Sequence, residues 1–341
     1  MATAIWGGDA LVRRYGKSGD PSALLGESWE CWDENAVASG PDAGQTIAQL
    51  RASLGRALTG PADPAQRFPV LTKIIDAREA LSVQVHPTDA YAQRVEHQPV
   101  GKTECWYILA ADPGAELVLG WTHDTDRAEY ERRVADGTLG EILRRVPVHA
   151  GDAFYLPAGT LHAIGAGIVL FETQQASDLT YRIFDWNRAG ADGQPRQLHV
   201  AKAGDVLDFR ATFPGAITPL VFAANGIERT IAIADPRFSV ERIRINRTGA
   251  ALTTAGRPVA VLAMDAGLTL ETDAGMAVLE PWQTALVPAA SAAFAFGTLG
   301  DAMLARVDPD LPDLRAAAAG SGVTTAGLDG FFAQFSASAR V

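Results

Sequence analysis

The chain has little sulfur, a deficit of positive charge and few histidines. Its two cysteines, Cys31 and Cys105, stand among 341 residues without CxxC spacing. That excludes a disulfide-rich secreted scaffold and a cysteine-based zinc module, and it fits buried thiols in a reducing cytoplasm. Lysine and arginine total 29 against 40 acidic residues, a net charge of −11. No long basic run relieves that balance, so neither nucleic acid nor an anionic membrane surface is an expected partner. No stretch of about 18 apolar residues is present, so no membrane span is expected. The N-terminus, "MATAIWGGDALVRRYGK", lacks a charged start followed by an apolar core. No secretory signal is therefore expected, and the cytoplasm is the expected compartment. The six histidines all lie before residue 200, which confines any histidine-based chemistry to the first part of the chain.

What is present is mostly strand. A 48% hydrophobic composition supports a sizeable core and more than one sub-domain. Short apolar runs recur between turn residues, among them "LSVQV", "CWYILA", "AFYLP", "GIVLFETQQ", "FSVERIRI" and "PVAVLAMD". Many short strands with regular turn signals predict an all-β sandwich or barrel. Helical periodicity is confined to 45–58, 88–97 and 126–146, with a short helix near 325–335. Thr88 or Asp89 is placed to cap the second of these. The polar segment 186–200 reads as a connector between two β units. A faint repeat sets "GDAFYLPAGTLHAIG" (151–165) on "PWQTALVPAASAAFA" (281–295), with Pro157 on Pro288 and His162 on Ala293.

In "LSVQVHP" (81–87), strand alternation puts Ser82, Gln84 and His86 on one face and Val83 and Val85 on the other. Either that polar face meets water or it lines a site. From Gly151 the sequence reads Gly, five residues, Pro, one residue, Gly, two residues, His162. A proline-glycine turn there would return His162 toward the barrel axis. This spacing resembles the second motif of the cupin superfamily of jelly-roll barrels. Where the first cupin motif usually has two histidines and a glutamate, this chain has Gln84, His86 and Glu104. The four residues offer nitrogen and oxygen donors that suit zinc and would also suit iron or manganese. The alternative is a satisfied polar core with no metal. The expected architecture is all-β, two cupin-type jelly-roll barrels with short helical insertions. Residues 1–205 would be the metal-bearing catalytic domain, with insertions near 45–58 and 126–146. Residues 206–341 would be a second barrel without metal ligands.

Longer matches narrow the reading. "WGG" (6–8), "GESWE" (26–30), "FPVLTKIIDAREALSVQVHP" (68–87), "GKTECWYIL" (101–109), "LPAGTLHAIGAG" (156–167) and "ETQQASDLTYRIFDWNR" (172–188) resemble type I phosphomannose isomerases in their short bacterial form. By that resemblance Gln84, His86, Glu104 and His162 are the ligands of one zinc ion per chain. Arg182, Lys102 and Asp178 match catalytic positions. The implied activity is zinc-dependent interconversion of mannose 6-phosphate and fructose 6-phosphate through an enediol. The partner implied is a small sugar phosphate, with monomer and dimer both open. Two departures stand out. Long-chain members carry a His before the catalytic-region lysine, where this chain has Gly101, and the 29–40 stretch has Cys31, Trp32 and Asp33 in place of the usual Ser and His.

From the residues, Arg182 suits oxyanion or phosphate stabilisation. Lys102 and Asp178 are both candidate bases. Lys73 is a candidate phosphate contact. His97, His123, His149 and His199 read as structural or surface residues. Tyr181, Trp186 and Arg188 flank Arg182, and core packing is the expectation for the aromatics. Two other readings use the same motifs: a cupin isomerase of another sugar, and a sugar-phosphate-binding cupin without turnover.

Overall fold

The computed structural model describes residues 1–190, 193–212 and 215–336. The N-terminal half contains strands β1 (Ala2–Gly8), β2 (Leu25–Cys31), β3 (Val70–Ala77), β4 (Val83–Val85), β5 (Glu104–Ala111), β6 (Glu116–Trp121), β7 (Leu143–Pro147), β8 (Ala153–Leu156), β9 (His162–Ala163), β10 (Ile168–Gln175) and β11 (Tyr181–Phe184). The C-terminal half contains β12 (Leu220–Ala224), β13 (Ile227–Ala234), β14 (Phe238–Ile245), β15 (Ala250–Thr253), β16 (Val259–Ala263), β17 (Leu268–Thr272), β18 (Gly275–Leu279), β19 (Thr284–Val287), β20 (Ala293–Phe296) and β21 (Gly300–Val307). The fold is mostly β, as the recurring short apolar runs require.

Each half folds into two antiparallel sheets. The six-stranded sheets run β1-β2-β3-β10-β5-β8 and β12-β13-β14-β21-β16-β19, and the smaller ones β11-β4-β9-β6-β7 and β15-β20-β17-β18. The orders correspond strand for strand, with β11 as an extra edge in the N-terminal half. Alternation then distributes the core. Along β5, Trp106 and Ile108 face the inside of the N-terminal half with Leu117 and Leu119 of β6. Cys105 and Tyr107 face the other way, into a core shared with Phe238 and Val240 of β14. The two six-stranded sheets therefore pack back to back. Burying each large side chain along this seam contributes roughly 1.5–3 kcal/mol. A buried hydrogen bond from Tyr155 Oη to Asp235 Oδ2, 2.7 Å, crosses the seam.

The faint repeat is structural. The Pro157 carbonyl accepts from Thr160 N at 3.1 Å, and the Pro288 carbonyl accepts from Ser291 N at 3.1 Å. His162 opens β9 as Ala293 opens β20. Across the sheets Gln84 faces His162, and Thr253 faces Ala293. Glu104 faces Leu156, and Val259 faces Val287. Thr253, Val259 and Ala293 thus occupy the places of Gln84, Glu104 and His162.

The helices are shorter than their periodicity suggested. In chain order they are α1 (Ala10–Arg13), α2 (Ile47–Leu54), α3 (Arg56–Thr59), α4 (Asp89–Tyr91), α5 (Arg127–Ala135), α6 (Val200–Val206), α7 (Leu311–Gly320) and α8 (Thr325–Ala333). The 45–58 insertion breaks at Gly55, where φ is +53°. Its start is fixed by a capping box between Thr46 and Gln49. Thr88, not Asp89, caps α4, which continues as one π-helical turn over Ala92–Glu96. The expected helix over 126–146 is corrected: only Arg127–Ala135 is α-helical. Gly137 takes φ +71°, a left-handed value that ends the helix, and 143–147 leaves as β7 to pair with β6. Helices α5 and α6 cover the outer face of the five-stranded sheet through Tyr130, Ala203 and Val206. Helices α7 and α8 close the shared core through Leu314, Ala318, Leu328 and Phe331.

Candidate active site and metal centre

Three local features bring the ligand-type residues together. Val83 and Val85 are fully buried beneath the helices, which turns their polar neighbours to the other face, and Ser82 and Gln84 line a cavity there. The turn after β8 depends on Gly159, whose φ of +88° is costly for a residue with a Cβ. Gly159 N also donates to the His86 carbonyl at 2.9 Å, tying the turn to the end of β4. Third, Lys102 N donates to the Pro87 carbonyl at 3.0 Å, which brings the start of β5 alongside. The missing side chain at Gly101 has a physical cause: a Cβ there would lie 2.2 Å from the Pro87 oxygen.

His86, Glu104 and His162 converge with their ligand atoms within 4.8 Å of one another. All three are essentially inaccessible to solvent. His86 Nδ1 lies 2.8 Å from the Leu179 carbonyl, and His162 Nδ1 lies 2.8 Å from the Thr160 carbonyl. A carbonyl only accepts, so each Nδ1 carries the proton and each Nε2 presents a lone pair inward. Those lone pairs meet the Glu104 carboxylate, His86 Nε2 at 3.4 Å from Oε2 and His162 Nε2 at 3.1 Å from Oε1. Both Nε2 atoms and both Glu104 oxygens are buried without a hydrogen-bond partner. Acceptors facing acceptors in a dry site call for a cation among them. The set fits a metal ion with two imidazoles and a carboxylate.

The electrostatics agree. Burial first, and the Lys102 charge second, push His86 down to about 3, which keeps it neutral and ready to ligate. Burial works to raise Glu104, but positive charge beside it, that of Lys102 foremost, holds the carboxyl well below its usual range. Lys102 Nζ lies 2.8 Å from Glu104 Oε2. Trp106 packs edge-on to His162, ring centres 5.3 Å apart, and its Nε1 donates to Glu172 Oε2 at 2.9 Å.

Beside this centre lies a cavity with two lobes. The inner one, about 330 Å³, is lined by Ser82, Gln84, Glu172, Arg182 and Arg196. The outer one, about 430 Å³, is lined by Trp29, Trp32, Glu34, Arg67 and Ser177. Lys102, Asp178, Lys73, Glu27 and Thr180 line both. Lys102, distant in sequence from Asp178 and Arg182, therefore shares one cavity with them and with Gln84. Arg182 comes from β11, where it pairs with Gln84 of β4. Its Nε donates to Ser82 Oγ and its Nη1 to the Gln197 carbonyl, each at 3.2 Å. Lys73 lines the cavity, but its charge is engaged by Glu172 at 3.2 Å and Glu27 at 3.4 Å. Burial pulls Lys73 down, and those two carboxylates hold it above its ordinary value instead.

The flanking residues do other work. Tyr181 is buried on the opposite face of β11 and donates to Glu96 at 2.6 Å. Trp186 donates to the Leu81 carbonyl at 2.7 Å, and Arg188 is held by Asp185. His199 braces the Arg182 backbone, while His97, His123 and His149 are exposed. Cys31 and Cys105 are free buried thiols, and burial pushes Cys31 up to about 12. Sequence reasoning missed Glu172 and Glu27. Alternation along "FETQQ" carries the signal, since Glu172 sits in register with both Lys73 and Trp106.

Comparison with known proteins places this geometry. A family model for the catalytic domain of type I phosphomannose isomerases matches residues 1–139. A mannose-6-phosphate isomerase of Streptococcus mutans is 39% identical over 256 residues, covering 72% of this chain and 77% of that protein. This chain belongs to the type I phosphomannose isomerase family. The crystal structure of the mannose 6-phosphate isomerase from Bacillus subtilis superposes with a TM-score of 0.81 at 32% identity, covering 90% of this chain and 97% of that one. A zinc-bound mannose 6-phosphate isomerase shares the fold at a TM-score of 0.67 and 16% identity, covering 90% of this chain and 97% of that one.

Proposed function

We propose that this phosphomannose isomerase family member interconverts mannose 6-phosphate and fructose 6-phosphate, using one zinc ion held by His86, Glu104 and His162. The observation that carries the proposal is the set of unpartnered inward-facing ligand atoms, opening beside a cavity that holds Lys102, Asp178 and Arg182. The Gln84 amide oxygen, on the same wall, is assigned as a fourth ligand. Zinc, when bound, supplies Lewis-acid stabilisation of negative charge on the substrate oxygens.

The chain's own groups supply the proton chemistry. The reaction takes the C2 proton from the aldose and returns it to C1, while a proton moves from O2 to O1. Asp178 is assigned as the group that carries the carbon-bound proton. It lines both lobes and has no hydrogen-bond or ion-pair partner among the described residues. Lys102 is ion-paired with Glu104 at 2.8 Å, which holds it as the cation, so it is assigned as a donor to a substrate oxygen rather than as the base. Arg182 is fixed by Ser82 and the Gln197 carbonyl, and it meets no carboxylate within ion-pair distance among the described residues. Its charge is therefore available to an enediolate oxygen.

The corresponding strand orders support two cupin-type barrels, 1–205 catalytic and 206–341 plain. Both ranges include residues outside those described. A packing role for the second barrel agrees with Thr253, Val259 and Ala293 at its ligand places. No helix among the described residues is long and apolar enough to cross a membrane, and the cytoplasm is the proposed compartment.

The test is turnover of mannose 6-phosphate by purified protein before chelation, after chelation and after zinc is returned. Activity lost and then restored supports the reading. Zinc bound without turnover would overturn the substrate assignment and leave the metal centre standing.

A further inference from the structure

The stretch 29–34, in which Cys31, Trp32 and Asp33 depart from the family pattern, builds the outer lobe together with Arg67. Trp32 is buried, and the Arg67 guanidinium lies over its ring at 5.2 Å. Asp33 fixes this pairing. Its Oδ1 accepts from Phe68 N at 3.1 Å, and its Oδ2 lies 3.1 Å from Arg51 Nη2. The residue after Trp32 is thereby bonded to the residue after Arg67, inside the protein. A guanidinium resting on an aromatic face keeps its in-plane N–H donors free for a phosphate or carboxylate.

Most cations around the cavity are already matched. Lys73 is engaged by Glu27 and Glu172, Lys102 by Glu104, and Arg196 by Asp185 at 2.6 Å. Arg182 and Arg67 remain without a carboxylate partner among the described residues. Glu34 lines the outer lobe as well and, like Arg67, is exposed, but the two are not within ion-pair distance. Arg182 stands directly across from Gln84, two residues from His86, and so belongs to the metal end. Arg67 stands in the other lobe, with Lys102, Asp178 and Thr180 between the two.

We propose that the Arg67–Trp32 pair is the anchor for the substrate's phosphate. The reacting carbons then lie in the inner lobe by Arg182, and the C6 phosphate lies in the outer lobe on Arg67. This deepens the isomerase reading and rests on it. It assigns the unusual 29–34 stretch to recognition of the phosphorylated end.

The experiment compares wild type, Arg67→Gln, Arg67→Lys and Arg182→Gln, each checked for zinc content. It measures kcat and KM for mannose 6-phosphate and the competitive inhibition constant of inorganic phosphate. The expected result for Arg67→Gln is a KM and a phosphate inhibition constant each raised about tenfold or more, as for loss of a charge-assisted hydrogen bond. Its kcat should stay within about twofold of wild type, because Arg67 does not touch the reacting carbons. Arg67→Lys should recover part of the KM. Arg182→Gln should lower kcat and leave phosphate inhibition unchanged. An Arg67→Gln enzyme with unchanged KM and phosphate inhibition would overturn the anchor, as would loss of phosphate inhibition in Arg182→Gln alone. If the wild-type enzyme, zinc-loaded, fails to turn over mannose 6-phosphate, the isomerase reading fails first, and that outcome is distinguishable from failure of the anchor.

Discussion

Removing the metal should destabilise the whole protein, and the size of the effect follows from the ligand atoms. His86 Nε2, His162 Nε2 and Glu104 Oε1 are buried with no hydrogen-bond partner. The second Glu104 oxygen also lacks a hydrogen bond by angle, but Lys102 lies 2.8 Å away and compensates its charge. Each buried polar group left unsatisfied costs roughly 1–3 kcal/mol, so three such atoms carry roughly 3–9 kcal/mol that a bound cation relieves. A chain of this size shifts its Tm by roughly 2 °C per kcal/mol, so chelation should lower Tm by roughly 5 °C or more. Acid should destabilise the stripped protein further, by a separate route. His86 is neutral when folded down to about 3, mainly because it is buried. The unfolded imidazole takes up a proton near pH 6.5, so between about 6.5 and 3 the unfolded state binds more protons. Stability therefore rises with pH across that window, and is lost on acidification by up to about 1.4 kcal/mol per pH unit from this group. Differential scanning calorimetry of loaded and stripped protein at pH 7 and pH 5, with metal analysis of each sample, reads both effects. A stripped protein whose Tm stays within a degree of the loaded one would refute the argument that these atoms face one another for the sake of a cation.

Asp178→Asn should lower kcat about a hundredfold or more, as for loss of a general base, with zinc content and Tm unchanged. Equal loss in Lys102→Met with Asp178→Asn near wild type would reverse the two roles. Gly101→Ala would press a Cβ to within 2.2 Å of the Pro87 oxygen. The backbone must shift and carry Lys102 with it, so about 1–3 kcal/mol of stability should be lost by denaturant titration, together with activity. Tyr155→Phe removes a hydrogen bond to a charged acceptor at the seam between the halves. It should cost about 1.5–3 kcal/mol on the same assay while kcat for mannose 6-phosphate is unaffected.

Some of this was legible in the sequence because its rules are local. Alternation alone put Gln84 and His86 on one face of β4 and the two valines on the other. The Pro157–Gly159 turn was readable from residue types, and it does return His162 to face Gln84. Matching Pro157 on Pro288 located the duplicated strand order, because both turns use the same backbone hydrogen bond. Helix length was less legible. Three-to-four spacing continues past Gly137, but a positive φ there and pairing to β6 converted the end of the predicted helix into β7.

The sequence by itself determined the strand-rich class, the ligand types and the face each occupies, since side-chain period is a property of the local backbone. Only the tertiary structure decided which charges are spent and which are free. Lys73, Arg196 and Arg67 look alike as cations in the sequence. Register set Lys73 beside Glu172, and a return of the chain set Arg196 against Asp185. Arg67 was left on Trp32 with no carboxylate partner among the described residues. That distinction depends on residues tens of positions away, brought close by sheet pairing, and no local pattern encodes it.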